Sequence, residues 1–563
     1  MLTEKQSICN NGGIENILEY CRLANQELNN LLFEVIKKIS KAGNYSTRIS
    51  NSELEKDQYL AHGLAWIATY VEGLNQFFNW AEDLKNNENF GEIEKLLLQI
   101  GFSEYIAQLR GGIFMSQSEI IRLDNFSLYE KDINKIFSKS TNFLQLNGNS
   151  DVARKRLITL VVQKMGSSTY EQSGLGQEYE MIRNQFFKFS KEKITPKAHE
   201  WHLKDQLIPM EIISELAELG VFNLNIPELY GGLGMTKTAM CVVSEELSRG
   251  YIGVGSLATR SDIAAELILC GGTEEQKNEW LPKIGCAAVL PTAVFTEPNT
   301  GSDLGALQTR AVLENDEYII NGNKTWITHA SRANLMAILA RSNPATNNHS
   351  GLSMFMVEKK SGTTEDPFPS ESIKGSEIKV LGYRGMKEYE LNFDNLKINK
   401  KNLLGNKEGN GFQQLMQTFE TARIQTAARA VGVAQNAFDL GLKYAFERNQ
   451  FGRKIIHFPR IYGKLAIMAT ELVIARQLTY FSSREKDAGR RCDLQAGMAK
   501  MLSARVAWTS ADNSLQIHGG NGFALEYPIS RVLCDARILN IFEGASEIQA
   551  QVIARRILEK RNT

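Results

Sequence analysis

Apolar residues recur three and four apart through NILEYCRLANQELNNLLFEVIKKI (residues 16–39), and the pattern returns in LAHGLAWIATYVEGLNQFFNWAEDL (60–84). Side chains at that spacing share one helix face, so residues 13 to about 122 are predicted to be helical. The stretch from Arg122 to Asp151, rich in Asn, Ser and Lys, lacks the period and predicts a polar linker. Helical spacing resumes from about 152 to 288, with the turn-rich break IPELYGGLG (226–234) inside it. From 289 to about 400 the period changes to two. Tyr389, Leu391 and Phe393 alternate with Glu390, Asn392 and Asp394, as on a half-buried strand. Asn321-Gly322, flanked by EYII and NKTWIT, predicts a hairpin turn. After Gly411 long helical patterns run to the end. The expected architecture is α+β and mainly helical: an N-terminal helical extension over 1–150, a helical domain over 151–288, a β domain over 289–400 and a C-terminal helical domain over 401–563.

Charge changes this picture little. Lys plus Arg and Asp plus Glu both number 64, so no basic field exists to draw in nucleic acid or an anionic membrane. Seven scattered cysteines without a CxxC pair fit a reducing compartment and predict neither a disulfide framework nor a zinc site. The polar start MLTEKQSICNNGG has no signal-peptide core, and no uninterrupted apolar run approaches a membrane span. The expectation is a soluble cytoplasmic protein without a metal.

The two ends of the chain resemble each other. GLAWIATYVEGL (63–74) matches KLAIMATELVIA (464–475), and QLRGGIFMSQSEIIR (108–122) matches QIHGGNGFALEYPISR (516–531), in the same order and at nearly the same offset. The extension is therefore expected to be a degenerate copy of the C-terminal helices. GVGSLA (253–258) fits a dinucleotide fingerprint only in letters, because a helical pattern and not a strand precedes it.

Chemistry concentrates between Gln516 and Gln549. There a glycine-rich turn, Gly519-Gly520-Asn521-Gly522, leads through an apolar segment to Glu543, just ahead of a helix start with the pair Ser546 and Gln549, a capping-box pattern. The helix N-terminus favours an ionised carboxylate, while Ile541 and Phe542 oppose it; a general base is tuned between such pulls.

Seven blocks in order, IPELYGGLG, FTEPNTGSD (295–303), GNKTWIT (322–328), KVLGYRG (379–385), ERNQFGRKI (447–455), QIHGGNGF and IFEGASEIQ (541–549), resemble the acyl-CoA dehydrogenase family over about residues 174–563. The resemblance implies a helical domain, a barrel-like β middle domain and a C-terminal four-helix bundle. It also implies FAD, an acyl-CoA substrate, an electron-transferring flavoprotein as acceptor, and a homo-oligomer whose flavin sites straddle subunits. Glu543 resembles the family's base. The family's other position for it, directly before the arginine of ETAR, is Ala422 here, and Glu420 stands two places too early. Trp326, Ile327 and Thr328 resemble the strand that covers the flavin ring; Phe295 and Thr296 resemble its loop, with Ser302 toward the CoA arm. Arg448 and Phe451 resemble groups that reach a neighbour's dinucleotide, and Gln516, Gly519 and Gly520 resemble the cradle for its other end. Gly544 is expected at the substrate, Ala545 and Glu547 at the cofactor, and Arg423 along the CoA arm.

Several residues depart from the family pattern. His329-Ala330 replaces Asn-Gly, Pro459 stands where Gln is common, Met386 replaces Ser, and Ala545 and Glu547 replace cofactor-binding residues. The N-terminal region and SEIKVLGYRGMKEYELNF (376–393) resemble one branch of the family, for which the expected reaction is methylsuccinyl-CoA to mesaconyl-CoA. A distal carboxylate on such a substrate needs a cation, and Arg260 in SLATRSDIAAEL is expected to supply it. Short branched-chain or glutaryl-type thioesters are the alternative within the family. A quiet, DNA-associated flavoprotein is the alternative outside catalysis, disfavoured by balanced charge and an intact Glu543. An extension that covers the C-terminal helices predicts a dimer in place of a tetramer.

Overall fold

The computed structural model describes residues 8–43 and 49–559. It divides into two compact units, Met1–Asn184 with Thr426–Thr563, and Gln185–Gln425. Along the chain, the first unit opens with α1 (Ile17–Gly43), α2 (Asn51–Lys56), α3 (Gln58–Asn86) and α4 (Glu92–Gly111), a short hairpin of β1 (Ile113–Phe114) and β2 (Ile120–Ile121), then α5 (Glu130–Ile136), α6 (Lys139–Asn147) and α7 (Asp151–Val162). The boundary to the second unit falls within α8 (Gln177–Phe189). The second unit holds α9 (Thr195–Leu203), α10 (Met210–Glu218), α11 (Lys237–Gly250), α12 (Ile252–Gly271) and α13 (Glu274–Gly285). Its strands are β3 (Pro291–Val294), β4 (Arg310–Glu314), β5 (Glu317–Thr328), β6 (Leu335–Arg341), β7 (Leu352–Glu358), β8 (Ile373–Ile378) and β9 (Glu388–Asn399). Helix α14 (Gly411–Glu447) contains the second boundary, after which the first unit is completed by the hairpin β10 (Asn449–Gln450) and β11 (Arg453–Lys454) and by α15 (Pro459–Asp487), α16 (Asp493–His518), α17 (Pro528–Ile538) and α18 (Ser546–Glu559).

Two local expectations fail. The supposed linker is mostly helical, because Ser138 and Ser150 accept from Thr141 and Ala153 backbone N–H groups and start α6 and α7. The hairpin turn lies at Asn315-Asp316, where Asn315 is left-handed, while Asn321-Gly322 sits inside the continuous strand β5. Gly322 is needed there for clearance, since a Cβ would come within 2.5 Å of the Thr309 hydroxyl. GVGSLA lies on α12, as its helical flank predicts.

In the first unit α15 is buried along its whole middle, from Tyr462 to Ser483, and its apolar residues show no single exposed face. α16 packs beside it, and α3, α4 and α7 pack on it as well. The helices approach closely at Gly101 of α4, where an added Cβ would meet Phe77 at 2.7 Å and Thr470 at 3.0 Å. Buried polar groups join the layers: Arg505 of α16 donates to the Tyr70 hydroxyl at 2.8 Å, and Arg476 of α15 pairs with Glu171. Segments 63–74 and 464–475 lie inside α3 and α15, each followed by a helix that packs on it and ends within the first residues of the second matching segment, at Gly111 and His518.

The second unit is built on a seven-stranded curled sheet in the order β3-β6-β4-β5-β9-β8, with β7 paired to β6. Alternation on β6 divides two cores: Leu335, Ala337 and Leu339 pack with Ile263, Leu267 and Leu281 of α12 and α13, while Met336, Ile338 and Ala340 face Phe355, Ile320 and Tyr389. A buried charge in this apolar setting is Lys324. Its ammonium is wholly buried and donates to the Phe295 carbonyl (2.8 Å), the Leu339 carbonyl (2.9 Å) and the Glu297 carboxylate (3.0 Å). Burial pushes the Lys324 amine down to about 8 despite Glu297. Burial also acts against the Glu297 charge, but Lys324, Thr309 and the Gln308 N–H outweigh it and hold that carboxyl below its usual range. Both groups are charged at neutral pH. Lys324→Met should strand the carboxylate and cost about 3–5 kcal/mol in chemical denaturation, with Lys324→Met/Glu297→Gln recovering part of it. A loss under about 1 kcal/mol would mean that the pair does not hold the loop.

Candidate active site

The expected site residues form one group on each unit. On the second unit, Thr325 N–H donates to the Thr296 carbonyl at 2.9 Å, so the 295–297 loop is stitched to β5 by backbone and by Lys324. A register shift between Lys324 and Ile327 breaks the pairing of β5 with β9, and Trp326 takes a left-handed φ of 58°. The bulge re-aims one side chain. Trp326 is 56% exposed while Ile327 and Thr328 beside it are buried. Thr328 stands opposite Glu388 in register and donates its hydroxyl to that carboxylate at 2.8 Å; its carbonyl accepts from Thr292 at 2.6 Å. Phe295 and Thr296 are half-buried beside this strand, whereas Ser302 is exposed further along the loop. Arg423 is half-buried on α14, its guanidinium 5.8 Å from the Phe419 ring centre, and Arg260 is buried on α12.

His329 follows at once, also left-handed (φ 67°) and 1% exposed. Neither ring nitrogen has a hydrogen-bond partner among the described residues, although each unsatisfied buried polar atom costs about 1–3 kcal/mol. Burial, reinforced by the charges of Arg332, Lys359 and Arg260, pushes its imidazole down to about 3, so it is neutral at physiological pH.

On the first unit, Glu543 and Gly544 occupy the turn between α17 and α18 with φ of 53° and 89°. The anticipated capping box is not what holds it. Ser546 is already the first helical residue, and the Gln549 side-chain amide donates to the Glu543 carbonyl (3.2 Å) and the Gly544 carbonyl (3.4 Å). Lys500 of α16 donates to the same Gly544 carbonyl at 2.6 Å, and Arg429 lies 4.9 Å over the Phe542 ring. The base candidate is thus half-buried on a backbone fixed from below, with Ala545 and Glu547 at the head of α18. Arg448, exposed, precedes the β10–β11 turn, whose tip residue Phe451 is left-handed and 91% exposed. Gln516, Gly519 and Gly520 are exposed at the end of α16. A cavity of about 500 Å³, lined by Arg460, Lys464, Asp512 and Gln516, opens there, and no atom lies within 4 Å of where either glycine would carry a Cβ.

Each group by itself fits a part of a flavin dinucleotide. On the second unit an exposed indole on a rigid bulge offers a face to a ring system; on the first, open glycine backbone at the end of α16 offers N–H groups to phosphates. Sequence reasoning missed Lys324, Glu297, Glu388 and Lys500, and gave Gln549 a capping role in place of its bonds to the turn carbonyls. The alternation that buries Tyr318 and Ile320 could have flagged Lys324, since a charge on a buried strand position demands a partner, whereas Glu388 falls on the polar parity of β9 and gave no such signal.

Three family models match in chain order: the acyl-CoA dehydrogenase N-terminal domain over 176–286, the middle domain over 292–396 and the C-terminal domain over 409–558. A (2S)-methylsuccinyl-CoA dehydrogenase from Cereibacter sphaeroides is 60% identical over 512 residues, covering 91% of this chain and 93% of that protein. An acyl-CoA dehydrogenase from Bacillus subtilis (strain 168) is 35% identical, covering 68% and 98%. Among solved structures, a glutaryl-coenzyme A dehydrogenase with glutaryl-CoA is similar at TM-score 0.64 and 33% identity, covering 68% of this chain and 95% of its own. Butyryl-CoA dehydrogenase from Megasphaera elsdenii is similar at TM-score 0.64 and 29% identity, covering 68% and 99%. Among the described residues no helix is long and apolar enough to cross a membrane. The chain belongs to the acyl-CoA dehydrogenase family and is an FAD-dependent oxidoreductase of acyl-CoA thioesters.

Proposed function

We propose that the chain oxidises (2S)-methylsuccinyl-CoA to mesaconyl-CoA, with Glu543 as the base. The observation that carries this reading is the half-buried Glu543 on its left-handed turn, taken with 60% identity to a relative of that name. Removal of a thioester α-proton needs a carboxylate at a fixed position and donors for the developing enolate oxygen. Glu543 takes the α-proton, and its own backbone N–H is one donor to the thioester oxygen; Gln549 and Lys500 keep that turn from drifting. The flavin, when bound, supplies the acceptor for the β-hydride. Trp326 and Thr328 hold its ring, with Phe295 and Thr296 beside them. Gln516, Gly519 and Gly520 hold the dinucleotide, with Arg448 and Phe451 serving a second subunit. Ser302 and Arg423 lie along the CoA arm. Arg260 binds the distal carboxylate, electrons leave through an electron-transferring flavoprotein, and cysteines outside any disulfide among the described residues fit a reducing cytoplasm. The extension is a degenerate copy of the C-terminal helices that occupies the surface of α15, leaving a dimer.

Anaerobic titration of the yellow protein with (2S)-methylsuccinyl-CoA should bleach the flavin promptly. Glu543→Gln should retain flavin yet bleach about 10²–10⁴ times more slowly. Bleaching by butyryl- or glutaryl-CoA alone would discard the substrate but keep the reaction, and an undiminished rate in the variant would remove Glu543 from its role. Arg260→Ala should raise KM for the dicarboxylic thioester by the worth of a charged hydrogen bond, about 1.5–3 kcal/mol, whereas an unchanged KM takes it out of the pocket. Light scattering should report two chains per particle; four would refute the dimer.

A further inference from the structure

The turn that carries Glu543 rests on two helices, α16 and α18. From α16, Lys500 donates to the Gly544 carbonyl at 2.6 Å, and the Ala504 carbonyl accepts from the Asn540 side-chain amide at 3.2 Å. From α18, Gln549 donates to the Glu543 carbonyl, and the Ser546 N–H closes the turn on the Asn540 carbonyl at 3.3 Å. Helix α3 of the N-terminal extension packs on both supports. Its His62, Trp66 and Tyr70 are spaced four apart and form one stripe. His62 Nε2 lies 3.2 Å from Gln551 Oε1 of α18, within reach for the Nε2–H form of the ring to donate. Further along the stripe, Trp66 and Tyr70 hold Arg505, the residue after Ala504. Its guanidinium lies 4.6 Å from the Trp66 ring centre and 4.9 Å from that of Tyr70, and it donates to the Tyr70 hydroxyl. That hydroxyl donates in turn to Gln108 of α4 at 2.6 Å, and the Tyr70 ring stacks on Tyr105 at 4.2 Å.

Shielding α15 calls for close apolar contact, and the extension makes it at Gly73 and Gly101, where an added Cβ would crowd Ile474. The stripe does something else. A hydrogen bond needs a separation near 3 Å and good alignment, and a cation over two ring faces has few other resting places, so these contacts fix how α16 and α18 lie. Both helices are the floor of the Glu543 turn, and a misplacement of about 1 Å at reacting groups costs as much as about 10²-fold in rate. The first family-matched residue is 176, so the stripe lies wholly in the part of the chain that the shared fold lacks. We propose that His62 is a positioning residue: with the Trp66–Tyr70 grip on Arg505, it holds α18 and α16 so that the Glu543 carboxylate stays in place for α-proton removal. The proposal rests on Glu543 being the base, as given under Proposed function. It makes the extension a working part of the reaction as well as a cover for α15.

The test follows anaerobic flavin bleaching by (2S)-methylsuccinyl-CoA in the full-length holoenzyme, with the rate at saturation and the half-saturating concentration read separately. His62→Ala should lower the saturating rate about 3- to 10-fold, the worth of one hydrogen bond, and leave half-saturation and flavin content unchanged. His62→Gln, whose amide can still donate to Gln551, should restore most of the rate. Because His62 acts through Glu543, adding His62→Ala to Glu543→Gln should slow bleaching no further, whereas a merely structural loss would slow both backgrounds by the same factor. A wild-type rate in folded, yellow His62→Ala, a change in half-saturation alone, or equal slowing in the two backgrounds would overturn the role of His62. If His62→Ala loses flavin or fails to fold, Gln551→Leu removes the acceptor instead and is judged by the same three outcomes. An undiminished rate in Glu543→Gln would overturn the base and this inference together, while a slow Glu543→Gln beside a fast His62→Ala overturns the inference alone.

Discussion

The first unit depends on one constraint: a helix buried on every side must be covered on every side. Helix α15 carries apolar or small residues around most of its circumference, and a two-layer bundle would leave half of that surface in water. Helices α3, α4 and α7 supply the missing layer from the N-terminal part of the same chain. The solved relatives match about 68% of the chain, and the family models begin at residue 176, so this cover is an addition to the shared fold. The same packing reaches the chemistry, because α3 also packs on α18, where His62 lies 3.2 Å from Gln551.

Each of the two units uses strained backbone to aim a candidate side chain. Trp326 and Glu543 are left-handed residues with a Cβ, each flanked by well-held neighbours: Ile327 and Thr328 in the sheet core, Gln549 and Lys500 beneath the turn. Surrounding structure that over-determines the backbone keeps such conformations. The result is an exposed indole and a half-buried carboxylate that do not rely on flexible loops for position.

What could be read from the residues was what composition and order encode. The seven blocks located the loops that carry Phe295, Gly519 and Glu543 and the strand that carries Trp326, and period two located the sheet. The failures have physical causes. Asn321-Gly322 has the letters of a turn, but Gly322 serves close approach to Thr309 inside a strand, and the chain reverses at Asn315-Asp316. The Arg122–Asp151 stretch is polar because α5 and α6 are short and bury few residues, not because it is unstructured. Ser546 and Gln549 have capping-box spacing, yet Gln549 binds carbonyls, a choice set by the turn geometry that spacing does not report. Glu297 was invisible to hydropathy, which places charges outside unless a three-dimensional partner is known, and Lys324 showed only as a charge at a buried strand position.

The cover on α15 also has a consequence in time. Helix α3 begins at residue 58 and the helix it buries begins at residue 459, so the two halves of one core are about 400 positions apart. At roughly 5–20 residues per second, a ribosome needs about 20–80 s to deliver the second half after the first. Helices form in about a microsecond, so α3 and α4 exist long before their partner does. For that interval Leu64, Ala68, Phe77 and Leu98 have α1, α6, α7 and each other to rest on, but not α15. The extension is therefore the part of the nascent chain that must be shielded longest, and its own hairpin of helices has to stay soluble while the rest is made.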